Sequence, residues 1–249
     1  MKTLITLLTD FGTADGYVAE MKGVILSTAP EATLVDLSHD VPPQDVELAR
    51  LAVARYWHRF PAGTVHLVVV DPGVGSAREA LAVESDGRVL VGPDNGVLSP
   101  ALLRPDAQCV ALRVPADASP TFHGRDVFAP AAAAIAQGRQ PADLGVPFAS
   151  PVVRRTKEPV RLPDGSIAGE VIAIDRFGNA ITNILGAHAG RVEAGGRFVH
   201  VVRSYAEVPA GSPLAHAGSS GLLEIAVRDG HAARELELTR GATVIFRRA

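Results

Sequence analysis

Four short segments pair charged or amide side chains with loop-forming glycines. They are TDFGTADGY, carrying Asp10 and Asp15; DPGVGSAR, carrying Asp71 and Arg78; FHGRDVFAP, carrying His123, Arg125 and Asp126; and DRFGNAITN, carrying Asp175 and Asn179. A carboxylate, an arginine and a histidine together can prepare a nucleophile or steady a developing charge. Asp71 poses the question most sharply, because it follows the apolar run VHLVVV where a strand buried on both faces leaves the core. The alternative for it is a turn acid that accepts backbone N–H bonds beside a paired surface arginine. The glycines of DPGVGS suggest a phosphate cradle, but such a loop ends in Gly-Lys-Ser/Thr and no lysine is present, which excludes nucleoside-triphosphate binding by this route. Asp10, Asp71 and His123 are conceivable metal ligands, yet no HxH, HExxH or CxxC spacing accompanies them, and no metal is expected.

The elements that must position these residues are legible as alternating patterns. Apolar runs ending in an acid recur at Asp10, Asp36, Asp71 and Asp94, and between them lie the helical stretches GYVAEMKGVILSTAP and PPQDVELARLAVARYWHRF. In the second, Val46, Ala49, Val53 and Trp57 share one face and read as core. Asp10 is either the N-cap of the helix that follows or a ligand-binding acid, and Asp15 is the closer candidate for the cap. Alternation of strand and helix predicts an α/β domain over residues 1–150 with a mainly parallel sheet and flanking helices. Such sheets bind ligands beyond the carboxyl ends of their strands, where Asp10 and Asp71 fall. After the alanine-rich helix DVFAPAAAAIAQG the texture becomes proline-rich and loses its period. Residues 151–249 then read as a smaller all-β domain with strands in SIAGEVIAID, AITNIL, RFVHVV, LLEIAV, ELEL and TVIFRR.

Composition narrows the partners. The 249 residues are 47% hydrophobic, enough for a sizeable core, and the net charge of −3 argues against a nucleic-acid or anionic-membrane partner. A small-molecule substrate is the better fit. Cys109 is the only cysteine, so no internal disulfide framework exists, and no apolar stretch is long enough to span a bilayer. The start of the chain is too short in apolar character and too lightly charged for a signal peptide, so a cytoplasmic location is expected. His58, His66, His188, His200, His216 and His231 form no constellation in sequence and read as surface or internally satisfied.

Taken together and in order, LTDFGTADGYVAEMKG, VDPGVGSAR, GPDNGVL, TFHGRDVFAP, IDRFGNAITN, SYAEVP and SSGLLEIAV resemble the S-adenosylmethionine hydroxide adenosyltransferases, hydrolase relatives of the fluorinating and chlorinating enzymes. The resemblance runs over nearly the whole chain. It implies an α/β N-terminal domain joined to a barrel-like C-terminal domain, a homotrimer with each site between neighbouring subunits, and cleavage of S-adenosylmethionine by water into adenosine and methionine without a further cofactor. It assigns Asp71, Arg78 and His123 to the attacking water and Asp10 to the ribose hydroxyls. Asn179, Tyr205, Ser219, Glu224 and the backbone near Val227 are assigned to the adenine and methionine ends, with Asp15 and Asp175 as further substrate-binding candidates. Two departures from the halogenating relatives matter. They carry a tyrosine where Asp71 stands, and the fluorinating enzymes carry a tryptophan at Gln44, so that wall of the pocket is expected to be wetter.

The implied chemistry gives Asp71 a task. Displacement at ribose C5′ expels a neutral thioether from a sulfonium, so the leaving group needs no acid and the difficulty lies with the nucleophile. Water has a pKa of about 15.7 and an ordinary aspartate about 3.9, so the carboxylate alone is a poor base. Arg78 is expected to stabilise developing hydroxide, with His123 supplying a hydrogen bond or a proton path. Two other readings stay open: a non-catalytic binder of S-adenosylmethionine or adenosine, and a halide-using adenosyltransferase, which Asp71 disfavours.

Overall fold

The computed structural model describes residues 3–248, so Met1, Lys2 and Ala249 at the outer ends of the two expected domains lie outside it. The chain divides into two compact units, Met1–Arg155 and Thr156–Ala249. The first is built on strands β1 (Leu4–Thr9), β2 (Thr33–Ser38), β3 (Val65–Val69), β4 (Ala80–Ser85), β5 (Arg88–Pro93), β6 (Gln108–Leu112) and β7 (Gly145–Pro147). Its helices include α1 (Tyr17–Thr28), α2 (Val46–Tyr56) and α3 (Ala129–Ala136). The sheet order is β2-β1-β3-β5-β4-β6-β7. Pairings among β2, β1, β3 and β5 are parallel, whereas β5-β4, β4-β6 and β6-β7 are antiparallel, so the sheet is mixed. The switch has a local cause: Asp86 and Gly87 both take positive φ, 49° and 66°, the two-residue turn that closes a tight hairpin between β4 and β5.

Strand alternation sends successive side chains to opposite faces. Ile5, Leu7, Val65, Leu67 and Val69 pack with Met21 and Ile25 of α1 and the alanines of α3. Leu8, Val68 and Val70 face the other way, against Val46, Ala49 and Val53 of α2 and against Trp57. The helices that flank the sheet therefore cover both faces, and the α2 face is the one the sequence marks out. Helix α2 begins at Asp45, whose carboxylate accepts the Leu48 N–H at 2.9 Å. Helix α1 departs from expectation. Its N-cap is Gly16, at φ +81°, with no side-chain cap, which leaves Asp15 one residue too early for that role.

The second unit contains β8 (Val160–Arg161), β9 (Ile167–Ile174), β10 (Ala180–Leu185), β11 (Arg191–Ala194), β12 (Arg197–His200), β13 (Pro213–Ala217), β14 (Leu222–Val227) and β15 (Thr243–Arg247). They form one antiparallel sheet in the order β12-β11-β15-β9-β10-β14-β13, with β8 on β9. A bridge between Val201 and Ala215 joins the end beyond β12 to β13, so the sheet curls nearly shut like a barrel. ELEL is not a strand. Residues Ala232–Glu235 form a helical turn, Glu237 takes φ +51°, and this turn drops both Leu236 and Leu238 into the core. Two leucines two apart mimic strand alternation when a turn buries both.

Inside the first unit a buried histidine couples the core to pH. His66 on β3 is fully buried, its Nδ1 is 2.7 Å from Thr6 Oγ1 on the neighbouring strand, and the rings of Tyr56 and Phe60 flank it. Burial pushes its pKa down to about 4, with the Arg88 charge adding and the Trp57 backbone opposing. Above pH 6.5 the ring is neutral in both folded and unfolded chains. Between 6.5 and 4 the unfolded chain takes up a proton that the folded one refuses, so stability falls as pH falls, by about 3 kcal/mol once the window is crossed. Denaturant unfolding across this range should show that slope, and His66→Gln should flatten it; an unchanged slope in the variant would assign the effect elsewhere.

Candidate active site

In the first unit, Asp71 lies just past the end of β3 and Asp10 just past the end of β1, and these strands are parallel neighbours with Thr9 opposite Val69. Asn95 Nδ2 donates to the Val70 carbonyl at 2.8 Å, fixing the strand end on which Asp71 sits. The loop that follows folds on itself: the Ser76 hydroxyl donates to the Gly73 carbonyl and accepts the Arg78 N–H. Arg78 is thereby turned back onto Asp71. Its Nε donates to Oδ1 at 3.0 Å and its Nη2 to Oδ2, a bidentate pair whose side chains are only 9% and 5% exposed. Arg78 Nη2 also lies 3.0 Å from His123 Nδ1, Nη1 donates to the Glu79 carbonyl, and the guanidinium stands 5.3 Å over the Phe128 ring. The surface-arginine reading of this pair does not hold.

His123 arrives from a different part of the chain. It caps a π turn over Gly124–Phe128, closed by the Ala129 N–H donating to the Gly124 carbonyl, which leads into α3. Ahead of it, Asp126 accepts the Ser119 N–H at 2.9 Å, and Arg125 bridges Asp126 to Glu20 of α1. The two loops meet at Gly75, where φ is +74° and an added Cβ would stand 2.4 Å from the Pro120 carbonyl oxygen. Only glycine permits this approach.

The contacts define protonation. His123 is buried, and burial together with the Arg78 charge holds its pKa below the usual histidine value, against the opposing pull of Asp71 and Asp126. A guanidinium can only donate, so Nδ1 must be the bare acceptor, and the neutral ring carries its proton on Nε2. The triad thus offers carboxylate oxygens that accept, an arginine charge beside them and one imidazole N–H that donates. An arginine bonded to Asp71 and His123, two of the three conceivable ligands, also makes this a poor cation site, and among the described residues no group of three or more His, Cys, Asp or Glu side chains is placed to hold a metal.

Asp10 accepts the Gln44 backbone N–H at 2.7 Å through Oδ2, and Oδ1 has no partner among the described residues. Gln44 takes φ +67°, so what meets Asp10 is its backbone, whatever its side chain. Asp15 is exposed, and no hydrogen bond or ion pair among the described residues joins it to the triad.

The second unit gathers most of the remaining candidates. Asp175 accepts the Phe177 and Asn179 N–H groups through Oδ1 and the Asn179 Nδ2 through Oδ2, shaping the turn between β9 and β10. Asn179 also donates to the Tyr205 hydroxyl at 3.1 Å. Burial, with the charges of Glu224 and Asp175, raises the Tyr205 pKa, so the phenol stays protonated. Tyr205 stands edge-on to His216 at 4.8 Å, and His216 on β13 pairs in register with Glu224 on β14, Nε2 to Oε2 3.9 Å. Both are buried. His216, expected on the surface or internally satisfied, is buried with no hydrogen-bond partner for Nε2 among the described residues, and the cross-strand register sets it between Tyr205 and Glu224, which no local spacing reveals. Ser219 lies exposed in the β13–β14 turn, and Val227 sits at the far end of β14 with its carbonyl accepting the Gly230 N–H.

Comparison with known proteins agrees with this architecture. Residues 5–145 match the SAM hydroxide adenosyltransferase N-terminal domain and residues 169–245 its C-terminal domain. The (R)-S-adenosyl-L-methionine hydrolase of Thermus thermophilus is 46% identical over 96% of this chain and 98% of its own, and that of Salinispora arenicola 40% over 95% of each. A fluorinase of Actinoplanes is more distant, 29% identical over 73% of this chain and 71% of its own. A crystal structure of an uncharacterized conserved protein from Thermotoga maritima superposes with a TM-score of 0.90 at 34% identity, covering 98% of this chain and all of that one. The chain belongs to the SAM hydroxide adenosyltransferase family.

Nitrogen NMR of the histidine rings tests the protonation scheme. At pH 7, His123 should show a bare Nδ1 and a protonated Nε2, titrating below 6.5; a proton on Nδ1 would break the Arg78 contact as described.

Proposed function

We propose that this chain is an enzyme that hydrolyses S-adenosyl-L-methionine to adenosine and L-methionine by in-line attack of water on ribose C5′. The observation that carries the reading is the arginine-centred union of Asp71, Arg78 and His123 in a chain so close to named hydrolases. The named relatives act on the (R) form, and we extend that preference to this chain.

Asp71 is a weak base toward free water, but the proton need not move first. As the new C–O bond forms, the attacking oxygen gives up electron density and its protons become strongly acidic, so a carboxylate suffices as acceptor late in the step. Its proton then passes to solvent. Arg78 holds Asp71 in one orientation and offsets negative charge around it. His123 has Nδ1 occupied by Arg78, so its part is to donate from Nε2, steadying the water with one lone pair left for attack. The sulfur departs neutral and requires no acid. Positive charge passes from sulfur to the attacking oxygen and is cancelled when its proton reaches the Asp71 carboxylate, which a site sparing in water favours.

Asp10 is assigned to the ribose hydroxyls through its unpartnered oxygen. Asn179, Tyr205, Ser219, Glu224 and the Val227 backbone are assigned to the adenine and methionine ends, with Asp175 acting by holding Asn179; Asp15 stays a candidate on the exposed approach to α1. No cofactor or metal enters the scheme. Among the described residues no helix is long and apolar enough to cross a membrane. A homotrimer working in the cytoplasm completes the reading, and sedimentation of the purified protein checks the assembly.

The test supplies each sulfonium epimer separately, with chloride and fluoride present, with and without EDTA. Adenosine and methionine should appear in equal amounts, faster from the (R) epimer and indifferent to chelation. A 5′-halo-5′-deoxyadenosine product would sink the hydrolase reading; activity lost to EDTA and restored by zinc would sink its metal-free part.

A further inference from the structure

The loop that carries Asp10 is held by a chain of polar contacts that the chemistry above does not use. Thr9 Oγ1 lies 2.8 Å from His39 Nδ1 and accepts the Phe11 N–H at 3.3 Å. His39 Nε2 lies 3.0 Å from Asp36 Oδ1, and Lys22 Nζ donates to Asp36 Oδ2 at 2.6 Å. The His39 carbonyl accepts the Gly12 N–H at 2.8 Å. Thr9 is fully buried and His39 is 6% exposed, so neither is placed to meet substrate.

The direction of the chain follows from which atoms can donate. Burial tends to raise the Asp36 pKa, but the hydrogen bonds of Lys22 and His39 hold it below the ordinary value, so Asp36 is an ionised acceptor. In the tautomer that carries its proton on Nε2, facing Asp36, Nδ1 is bare and the Thr9 hydroxyl donates to it. That hydroxyl has a lone pair left for the Phe11 N–H. Lys22, Asp36, His39 and Thr9 thus stand as one line of polar contacts from the surface of α1 to the backbone on either side of Asp10. Asp10 is gripped from the same segment, since Gln44 donates to it, and Asp45 ties that segment to the start of α2. Every residue from Thr9 to Gly12 therefore has a polar contact to residues 39–44 or to a group they hold.

We infer that His39 is a positioning residue for substrate binding: through Thr9 and Gly12 it fixes the backbone from which Asp10 presents its unpartnered oxygen to ribose. This rests on the assignment of Asp10 to the ribose hydroxyls. A carboxylate that must meet two hydroxyls at once tolerates only a small displacement, about 0.5 Å for a preorganised site. The ribose contact belongs to ground-state binding as well as to the transition state, so loosening it raises KM more than it lowers kcat.

The experiment is a double-mutant cycle on the full chain, reading the adenosine Kd by calorimetry together with KM and kcat, for wild type, Asp10→Ala, His39→Gln and the double variant. His39→Gln should weaken adenosine about fivefold or more, the scale of a lost hydrogen bond, and raise KM with kcat changed less than about twofold. In the Asp10→Ala background it should cost nothing further. Thr9→Val, which removes the hydroxyl at similar volume, should copy His39→Gln, and Thr9→Ser should keep wild-type affinity; this pair serves also if His39→Gln fails to fold. An equal cost with and without Asp10, or wild-type affinity in His39→Gln or Thr9→Val, overturns the proposal. If Asp10→Ala alone leaves adenosine binding unchanged, the ribose assignment itself fails and the positioning role falls with it, a result the single variant reports separately.

Discussion

The guanidinium of Arg78 sets the terms for the first unit. It has five N–H donors in one plane and no acceptor. Nε and one Nη2 proton go to Asp71, the other Nη2 proton to His123, and one Nη1 proton to the Glu79 carbonyl. Because the fork is rigid, fixing any two partners fixes the third. It also dictates which nitrogen of His123 carries the proton, and so whether that ring is a base or a donor. As a contribution to folding, a pair this buried is close to neutral: desolvation of both charges offsets most of their attraction, and the larger cost appears only when one partner is removed. The return on assembling it lies in chemistry.

Much of the surrounding structure reads as provision for that plane. The parallel half of the sheet delivers Asp10 and Asp71 at adjacent strand ends. Gly75 allows the Asp71 loop to close against Pro120, and the π turn supplies the extra residue that brings His123 to Arg78 while Phe128 lies under the guanidinium. In the second unit, hydrogen bonds join Asp175 to Asn179 and Asn179 to Tyr205, the Tyr205 ring stands edge-on to His216, and the β13–β14 register sets His216 opposite Glu224.

What could be read in the sequence follows the range of the forces involved. Strands with acids at their ends, the amphipathic α2 and the change of texture near residue 150 are local signals, and they mark where the chain turns and what it buries. Asp71 and Arg78 were legible because only six residues, two of them glycines, separate them. The FHGRD segment marked out His123, but its place beside Arg78 was legible only by resemblance, since that partner lies 45 residues away. His39 and His216 were invisible: each acts through a residue on another strand or loop, and nothing in their neighbours' sequence announces a buried ring. ELEL and Asp15 misled for the opposite reason, because a local pattern matched and a left-handed residue, Glu237 in one case and Gly16 in the other, changed the path of the chain.

The central claim is that Asp71 serves the water and that Arg78 makes it able to. Single-turnover release of adenosine from Asp71→Asn, measured per folded molecule at a temperature below its thermal midpoint, addresses this most directly. Removing the charge while keeping the shape should slow the step by a factor on the order of 10² or more while leaving S-adenosylmethionine binding nearly intact. A variant that melts earlier yet turns over at the wild-type rate when folded would make Asp71 a turn residue and leave the chemistry without its base.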